Sequence, residues 1–126
     1  MPLDSLIPQS RDLTGDEVFL VENLLRHSAP EDREKFTPQI SRARVVGRCD
    51  CGCPTLFLAL DGKTAPTEFE ERILSHALGR AEESRIPFEV ILFSREEELS
   101  ELMVAGLNGL KVPLPCWETF DSLEWL

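Results

Sequence analysis

The sequence predicts an α+β protein in which an N-terminal helix packs on a mainly antiparallel meander sheet of about five strands, followed by a short helical or irregular C-terminal tail. One segment near the N-terminus has the capping residues and apolar spacing of an amphipathic helix. Two later segments each contain a pair of β-prone runs around a turn, which supplies four strands. The fifth strand comes from residues 73–80, whose pattern is ambiguous.

The length is that of a single domain covering residues 1–126. The chain is 42% hydrophobic and 29% charged, which is ordinary for a globular protein that folds without cross-links. Its longest apolar run, residues 56–60, is far shorter than the ~20 residues of a membrane span. The first twelve residues lack the apolar run of a secretory signal. These features predict a soluble, cytoplasmic protein with no membrane partner.

The clearest helical pattern lies in residues 14–27, T-G-D-E-V-F-L-V-E-N-L-L-R-H. Thr14 and Glu17 have the spacing of a capping box. Apolar residues recur at helical spacing at Val18, Val21, Leu24 and Leu25. Acids begin the segment and basic residues end it, which matches the helix dipole and makes His27 a C-terminal cation. The pattern predicts the amphipathic N-terminal helix.

Two pairs of β-prone runs predict two hairpins. Residues 43–48 and 55–60 flank C-D-C-G-C-P, whose Asp, Gly and Pro favour a chain reversal. Residues 87–93 and 99–107 flank S-R-E-E-E, which predicts a solvated turn. The polar segment 28–38, between the helix and the first hairpin, contains two prolines and predicts a surface loop or a short helical turn.

Residues 67–84 fit two alternatives. Apolar residues four apart, Phe69, Ile73, Ala77 and Ala81, favour a helix with a capping box at its start. Against the helix, Gly79 costs about 1 kcal/mol in a helix interior. A strand over residues 72–80 would lead through a short turn into the strand that begins near Phe88. The local pattern alone favours the helix.

The tail, residues 113–126, contains both tryptophans. Trp117, Phe120 and either Leu123 or Glu124 have the spacing of a short amphipathic helix. We expect its apolar side to cover the core. The alternative is a docking surface for a partner, since an exposed apolar terminus is a liability unless it is covered.

The cysteines are the one constellation that carries chemistry. Cys49, Cys51 and Cys53 alternate in one turn and can project to the same side. Zinc takes four tetrahedral ligands, and Cys116 could complete the set, with His76 and Asp50 as alternatives. The doubled C-x-C spacing differs from the usual C-x-x-C pairs of zinc sites. A reactive-thiol role, with Arg48 lowering a cysteine pKa, and a purely structural role are the other interpretations.

The run R-C-D-C-G-C-P-T, residues 48–55, resembles the R-C-x-C-G-C-P-[ST] motif of a family of small uncharacterised bacterial, actinobacterial-type proteins. The similarity extends to A-R-V-x-G before the motif and to a later hairpin, so it covers roughly residues 43–115. The chain departs from the family at Glu97 and Glu98, where the family has a glycine, and at Met103, where it has a glutamate. The family has no established activity, so the resemblance implies a fold and not a function.

The resemblance bears on the ambiguous segment. The family places a strand that ends in A-x-G before its hairpin, and Ala77-Leu78-Gly79 fits that pattern. It therefore implies a strand rather than a helix for residues 73–80, which gives the five-stranded sheet.

The net charge of −10 is uneven along the chain. Residues 1–60 have nine acids and seven bases, whereas residues 61–126 have fourteen acids and six bases. This excess repels nucleic-acid phosphates, so we expect no nucleic-acid partner and favour a basic protein. Arg42, Arg44 and Arg48 alternate along the first strand, which predicts cross-strand ion pairs or, as the alternative, a phosphate site. The sequence does not determine the oligomeric state, but an exposed edge strand would allow a homodimer.

The sequence lacks the motifs of several enzyme classes: G-x-S-x-G, the phosphate loop G-x-x-x-x-G-K-[ST], H-E-x-x-H and G-x-G-x-x-G. No catalytic residue is predicted, and a non-enzymatic protein is favoured over an enzyme. The leading hypothesis is a small acidic binding or accessory protein without a cofactor. The second is a zinc-binding or thiol-active protein centred on Cys49, Cys51, Cys53 and Cys116.

Overall fold

The computed structural model describes residues 6–49, 55–61, 71–80, 87–106 and 124–125. These ranges contain helices and seven strands of one antiparallel sheet. In chain order the elements are β1 (Leu6–Asp12), α1 (Gly15–Arg26), α2 (Pro30–Phe36), a 3₁₀ helix (Thr37–Arg42), β2 (Ala43–Cys49), β3 (Leu56–Leu60), β4 (Arg72–Arg80), β5 (Pro87–Arg95), β6 (Glu98–Gly106) and β7 (Glu124–Trp125). The α+β class is confirmed, and the described sheet has more strands than the sequence predicts.

Helix α1 forms where the capping pattern predicts it. Thr14 Oγ1 accepts the Glu17 backbone N–H at 3.2 Å, and Glu17 Oε1 accepts the Thr14 backbone N–H at 2.8 Å. Arg11 of β1 donates to both Glu17 carboxylate oxygens, at 2.8 and 2.9 Å. Burial raises the pKa of the Glu17 carboxyl, but the hydrogen bonds from Arg11 and Thr14 outweigh it and hold the pKa below its usual value. The capping box thus also fastens β1 to the start of α1.

The segment predicted as a loop or short helical turn is helical. Pro30 begins α2, where its missing N–H costs nothing. Phe36 at the end of α2 is fully buried and anchors the segment on the core. Arg72 of β4 donates to the two Asp32 carboxylate oxygens at 3.1 and 2.8 Å, and these hydrogen bonds lower the pKa of Asp32. Helix α2 is therefore tied to the sheet by one apolar and one ionic contact.

The described sheet consists of two three-stranded meanders, β1–β3 and β4–β6, joined edge to edge, with β7 added beside β4 as the seventh strand. Its order is β1-β2-β3-β6-β5-β4-β7, so β6 and not β4 lies beside β3. The joining pair places Leu56 opposite Leu102 and Phe57 opposite Glu101. The prediction of a single meander is wrong at this point, because local patterns define hairpins but not which hairpin edge pairs with another.

Strand β4 resolves the ambiguous segment in favour of the strand. It pairs with β5 from Arg72 opposite Ser94 to Arg80 opposite Pro87. Ala77, a position that fits both patterns, is fully buried opposite Val90. The helical interpretation is wrong for residues 72–80, because pairing with β5 overrides the local preference. The proposed capping box at residues 67–70 lies outside the described residues.

Strand β1 is an element that the sequence analysis does not identify. Its sequence L-I-P-Q-S-R-D has no apolar alternation, and Pro8 is a residue that strands tolerate mainly at sheet edges. The strand pairs with β2 as the last strand of the described sheet, and its register shifts between Pro8 and Arg11. Arg44 of β2 donates to Asp12 Oδ1 at 2.6 Å. Pairing and ion pairs, rather than burial, define this strand.

One apolar core lies between the sheet and the helices. Its buried members are Leu20, Val21, Leu24, Leu25, Phe36, Val45, Leu56, Leu58, Leu74, Ala77, Phe88, Val90, Leu92, Leu99, Leu102 and Val104. All five residues of β3 are buried, so this central strand is covered on both faces. On the face away from α1, Phe57 and Ile91 are buried as well. The predicted burial of both faces of β5 holds for Ile91, whereas Glu89 and Phe93 are half-buried.

The predicted helical tail is only partly described. Glu124 and Trp125 form β7, opposite Leu78 and Ala77 of β4, so Glu124 does not end a helix. The tail residues Trp117 and Phe120 lie outside the described residues. Among the helices that are described, none is long and apolar enough to cross a membrane.

The β5–β6 turn provides a stability test. Glu96 and Glu97 have φ angles of 52° and 68°, in the left-handed region that costs a residue with a Cβ about 1–2 kcal/mol. We expect Glu97→Gly to raise the free energy of unfolding by about 0.5–1 kcal/mol in urea denaturation. Glycine removes the steric cost of the left-handed conformation, and its greater loss of chain entropy on folding offsets only part of that gain. Glu97→Gln is the matched control, since it removes the exposed ion pair with Lys35 but keeps the Cβ. An E97G variant no more stable than E97Q would contradict this account.

Candidate functional site

The predicted cysteine turn, which we define as residues 49–54, connects β2 and β3 along the chain. Cys49 ends β2 and is buried, and its backbone N–H donates to the Thr55 carbonyl at 3.4 Å. This bond joins the end of β2 to the residue before β3. Cys51, Cys53 and Cys116 lie outside the described residues. The structure therefore positions Cys49 alone among the four cysteines of the predicted site.

His76 does not lie near the cysteine turn. It belongs to β4, and β3, β6 and β5 separate that strand from β2. Four inter-strand spacings place His76 about 19 Å from the β2 strand, so it is not a plausible fourth ligand of a metal bound by Cys49. Its Nε2 lies instead 3.1 Å from Glu89 Oε2. No group of three or more His, Cys, Asp or Glu in the described part of the chain is placed to hold a metal ion.

The arginines around β2 pair with carboxylates across neighbouring elements. Arg44 donates to Asp12 of β1, and Arg42 donates through Nε to Asp61 at 2.6 Å. Cross-strand pairing is therefore found for Arg44, but the partner is an aspartate where glutamates were predicted, and Arg42 pairs from the 3₁₀ helix with the residue after β3. Arg48 is exposed on β2. These ion pairs argue against the alternative of a phosphate site at Arg42 and Arg44.

An acidic rim lies at the opposite end of the sheet from the cysteine turn. We define it by the acids of α2 and those at the β5–β6 turn: Glu31, Asp32, Glu34, Glu96, Glu97 and Glu98. Gln39 joins the two parts, since its Nε2 donates to the Glu97 carbonyl at 2.9 Å and its Oε1 accepts the Leu99 N–H at 3.0 Å. Lys35 of α2 also pairs with Glu97. The rim is thus a fixed surface in which Glu31, Glu34, Glu96 and Glu97 are exposed.

A buried carboxyl pair is a feature that the sequence analysis missed. Glu101 of β6 is only 4% exposed. Glu71, the residue before β4, accepts a hydrogen bond from Ser100 Oγ at 2.8 Å, and its Oε1 lies 3.4 Å from Arg95 Nη2. Burial raises the pKa of Glu101 to about 8, and the hydrogen bond to Glu71 and its charge add to the rise. The two glutamates are thirty positions apart, so no local motif indicates the pair.

Comparison with known proteins adds no assignment. No family model, curated protein or solved structure matches this chain. The resemblance carried by R-C-D-C-G-C-P-T stays a prediction. Function must accordingly be argued from the charges and contacts of the chain itself.

Proposed function

We propose that the protein is a small, non-enzymatic binding or accessory protein of the bacterial cytoplasm that docks on a basic protein partner through its acidic rim. The observation that carries this proposal is the rim itself, which presents carboxylates from two elements on one surface. Complementary charge steers association and selects partners of opposite sign. A basic protein surface is the chemistry that this rim would attract.

The pairing of six of the described basic residues supports the same proposal. Each of the following forms an ion pair with a carboxylate: Arg11, Lys35, Arg42, Arg44, Arg72 and Arg95. Their charges are therefore largely offset within the molecule. The net charge of −10 then resides in carboxylates beyond these pairs, and most of it belongs to residues 61–126. Such a chain repels nucleic-acid phosphates and attracts cationic surfaces.

The construction of the rim favours binding over a general solubilising role. Gln39 and Lys35 link α2 to the β5–β6 turn, and Arg72 links α2 to β4. Side chains on fixed elements lose less conformational entropy on binding than side chains on mobile loops. The rim therefore presents its charges in a constant arrangement.

A charge-variant comparison tests the rim. We expect the double variant Glu34→Gln/Glu96→Gln to bind a fluorescent oligolysine peptide about three- to tenfold more weakly than the wild type at low salt. The cause is the loss of two exposed carboxylates from the rim. Fluorescence anisotropy at low and high salt measures the affinity, and the difference should shrink as salt screens the charges.

The matched control removes two charges elsewhere. Asp16 and Glu22 are exposed on α1, outside the rim, so Asp16→Asn/Glu22→Gln has the same net charge as the rim variant. We expect this control to bind close to the wild type. Equal weakening in both variants would refute a localised site and leave only the overall charge. Lysate proteins that the wild-type protein retains at low but not at high salt would be candidates for the natural partner.

Zinc or thiol chemistry at the cysteine turn is a second candidate function. The observation that favours it is the hydrogen bond from the Cys49 backbone N–H to the Thr55 carbonyl, which holds together the two ends of a segment whose sequence contains Cys51 and Cys53. Three thiolates and Cys116 would match the tetrahedral sulfur set of a structural zinc site. Because the turn lies at the other end of the sheet, the two candidates are independent.

Metal analysis tests the cysteine turn. We expect protein purified without chelator to carry one equivalent of zinc per chain, and Cys51→Ala/Cys53→Ala to carry none, because two of four ligands are lost. His76→Ala is the control, since β4 is far from β2, and its zinc content should equal that of the wild type. Zinc well below one equivalent in the wild type would exclude a constitutive metal site.

A further inference from the structure

We propose that Glu71 and Glu101 share one proton at neutral pH and that this carboxyl pair is a pH-sensitive latch between the start of β4 and β6. Ser100 Oγ of β6 donates to Glu71 Oε2 at 2.8 Å, which holds the Glu71 carboxylate beside β6 next to the position of the buried Glu101. Two ionised carboxylates have no donor between them, so a hydrogen bond between Glu71 and Glu101 requires a proton on one of the two groups. The pair lies on the sheet face away from α1, beside β5, which separates β4 from β6.

The surroundings of Glu101 disfavour its ionised form. Its register partners on the two neighbouring strands are apolar: Phe57 on β3 and Phe93 on β5. With 4% exposure, the carboxyl has little contact with water. Removing an ionised carboxylate from water is costly, and protonation avoids that cost.

The charged neighbours decide which glutamate holds the proton. Arg95 on β5 lies 3.4 Å from Glu71, so this guanidinium forms its ion pair with Glu71. Burial raises the pKa of Glu101 most, and the Glu71 charge adds to the rise, while Arg95 acts in the opposite direction. We therefore place the shared proton on Glu101, the buried member of the pair.

The pair has the contacts of a latch. Glu71 accepts a hydrogen bond from Ser100, which lies at the register shift of β6. It also accepts the hydrogen bond that protonated Glu101 donates. These bonds hold the residue that precedes β4 against β6, across β5. Loss of the shared proton replaces a hydrogen bond by repulsion between two carboxylates in a medium of low dielectric constant.

The direction of the pH effect follows from linkage. The pKa of Glu101 rises from 4.5 to about 8 on folding, so the folded state binds this proton more tightly than the unfolded state does. Its contribution to stability is fully present below pH 4.5, falls as the pH rises toward 8, and is absent above it. Carboxyls with lowered pKa values, such as Glu17 and Asp32, lose their contribution only in acid, outside this interval.

Two measurements test the proposal. In the wild type we expect the side-chain carboxyl carbon of Glu101, followed by NMR, to titrate well above pH 6. We also expect the unfolding equilibrium constant to rise at least about tenfold more between pH 5.5 and pH 8 in the wild type than in Glu101→Gln, because the neutral amide removes the titration. Titration of Glu101 below pH 5 would overturn the shared proton even if the variant failed to fold.

Further variants separate the effect of Glu71 on the Glu101 pKa from the effect of burial. Glu71→Gln should lower the Glu101 pKa, because the adjacent negative charge is removed while the burial remains. Glu22→Gln, at an exposed helix position, is the control for loss of a single charge and should keep the wild-type pH dependence.

Amide exchange provides the readout of the latch. Protection at Ile73 and Leu74 should fall above pH 8 relative to that at Ala77 and Leu78, and equal loss along β4 would refute a local latch.

Discussion

The pairing of β3 with β6 is the constraint on which the remaining structure depends. It joins two meanders that are otherwise separate, and it places Leu56 and Leu102 together at the centre of the core. Both faces of β3 are buried as a result. A helix packed on either meander alone would leave one sheet edge and much apolar surface exposed. The sites at the two ends of the sheet, and the carboxyl pair at Glu101, take their positions from this central pair.

Local signals predicted α1 and the two hairpins. The capping box of Thr14 and Glu17 and the two hairpins are short-range features, and each was found within a residue or two of its predicted limits. Long-range features were not readable. Strand β1 has no apolar pattern that would identify it in the sequence. Its position depends on pairing with β2 and on ion pairs. The strand at β4 was favoured by a resemblance that stays a prediction, and not by periodicity. Glu101 sits in an ordinary strand sequence, so only the fold reveals its burial beside Glu71.

The molecule separates its charges in a way that composition does not reveal. Arginines are held by aspartates or glutamates on neighbouring elements, as in Arg44 with Asp12 and Arg72 with Asp32. The acidic rim is left at one end of the sheet and the cysteine turn at the other. A binding function at the rim and a metal or thiol function at the turn would therefore depend on different residues of the same fold. A substitution that disables one need not disturb the other.

The irregular form of β1 has a consequence for self-association. A sheet that ends in a flat, regular strand offers a row of backbone donors and acceptors to a second copy. Here the end strand contains Pro8, which has no N–H, and a register shift before Arg11 that breaks the spacing of such a row. Asp12 and Arg11 add charge at the same edge. The last strand on this side of the described sheet thus opposes edge-to-edge addition of a second copy.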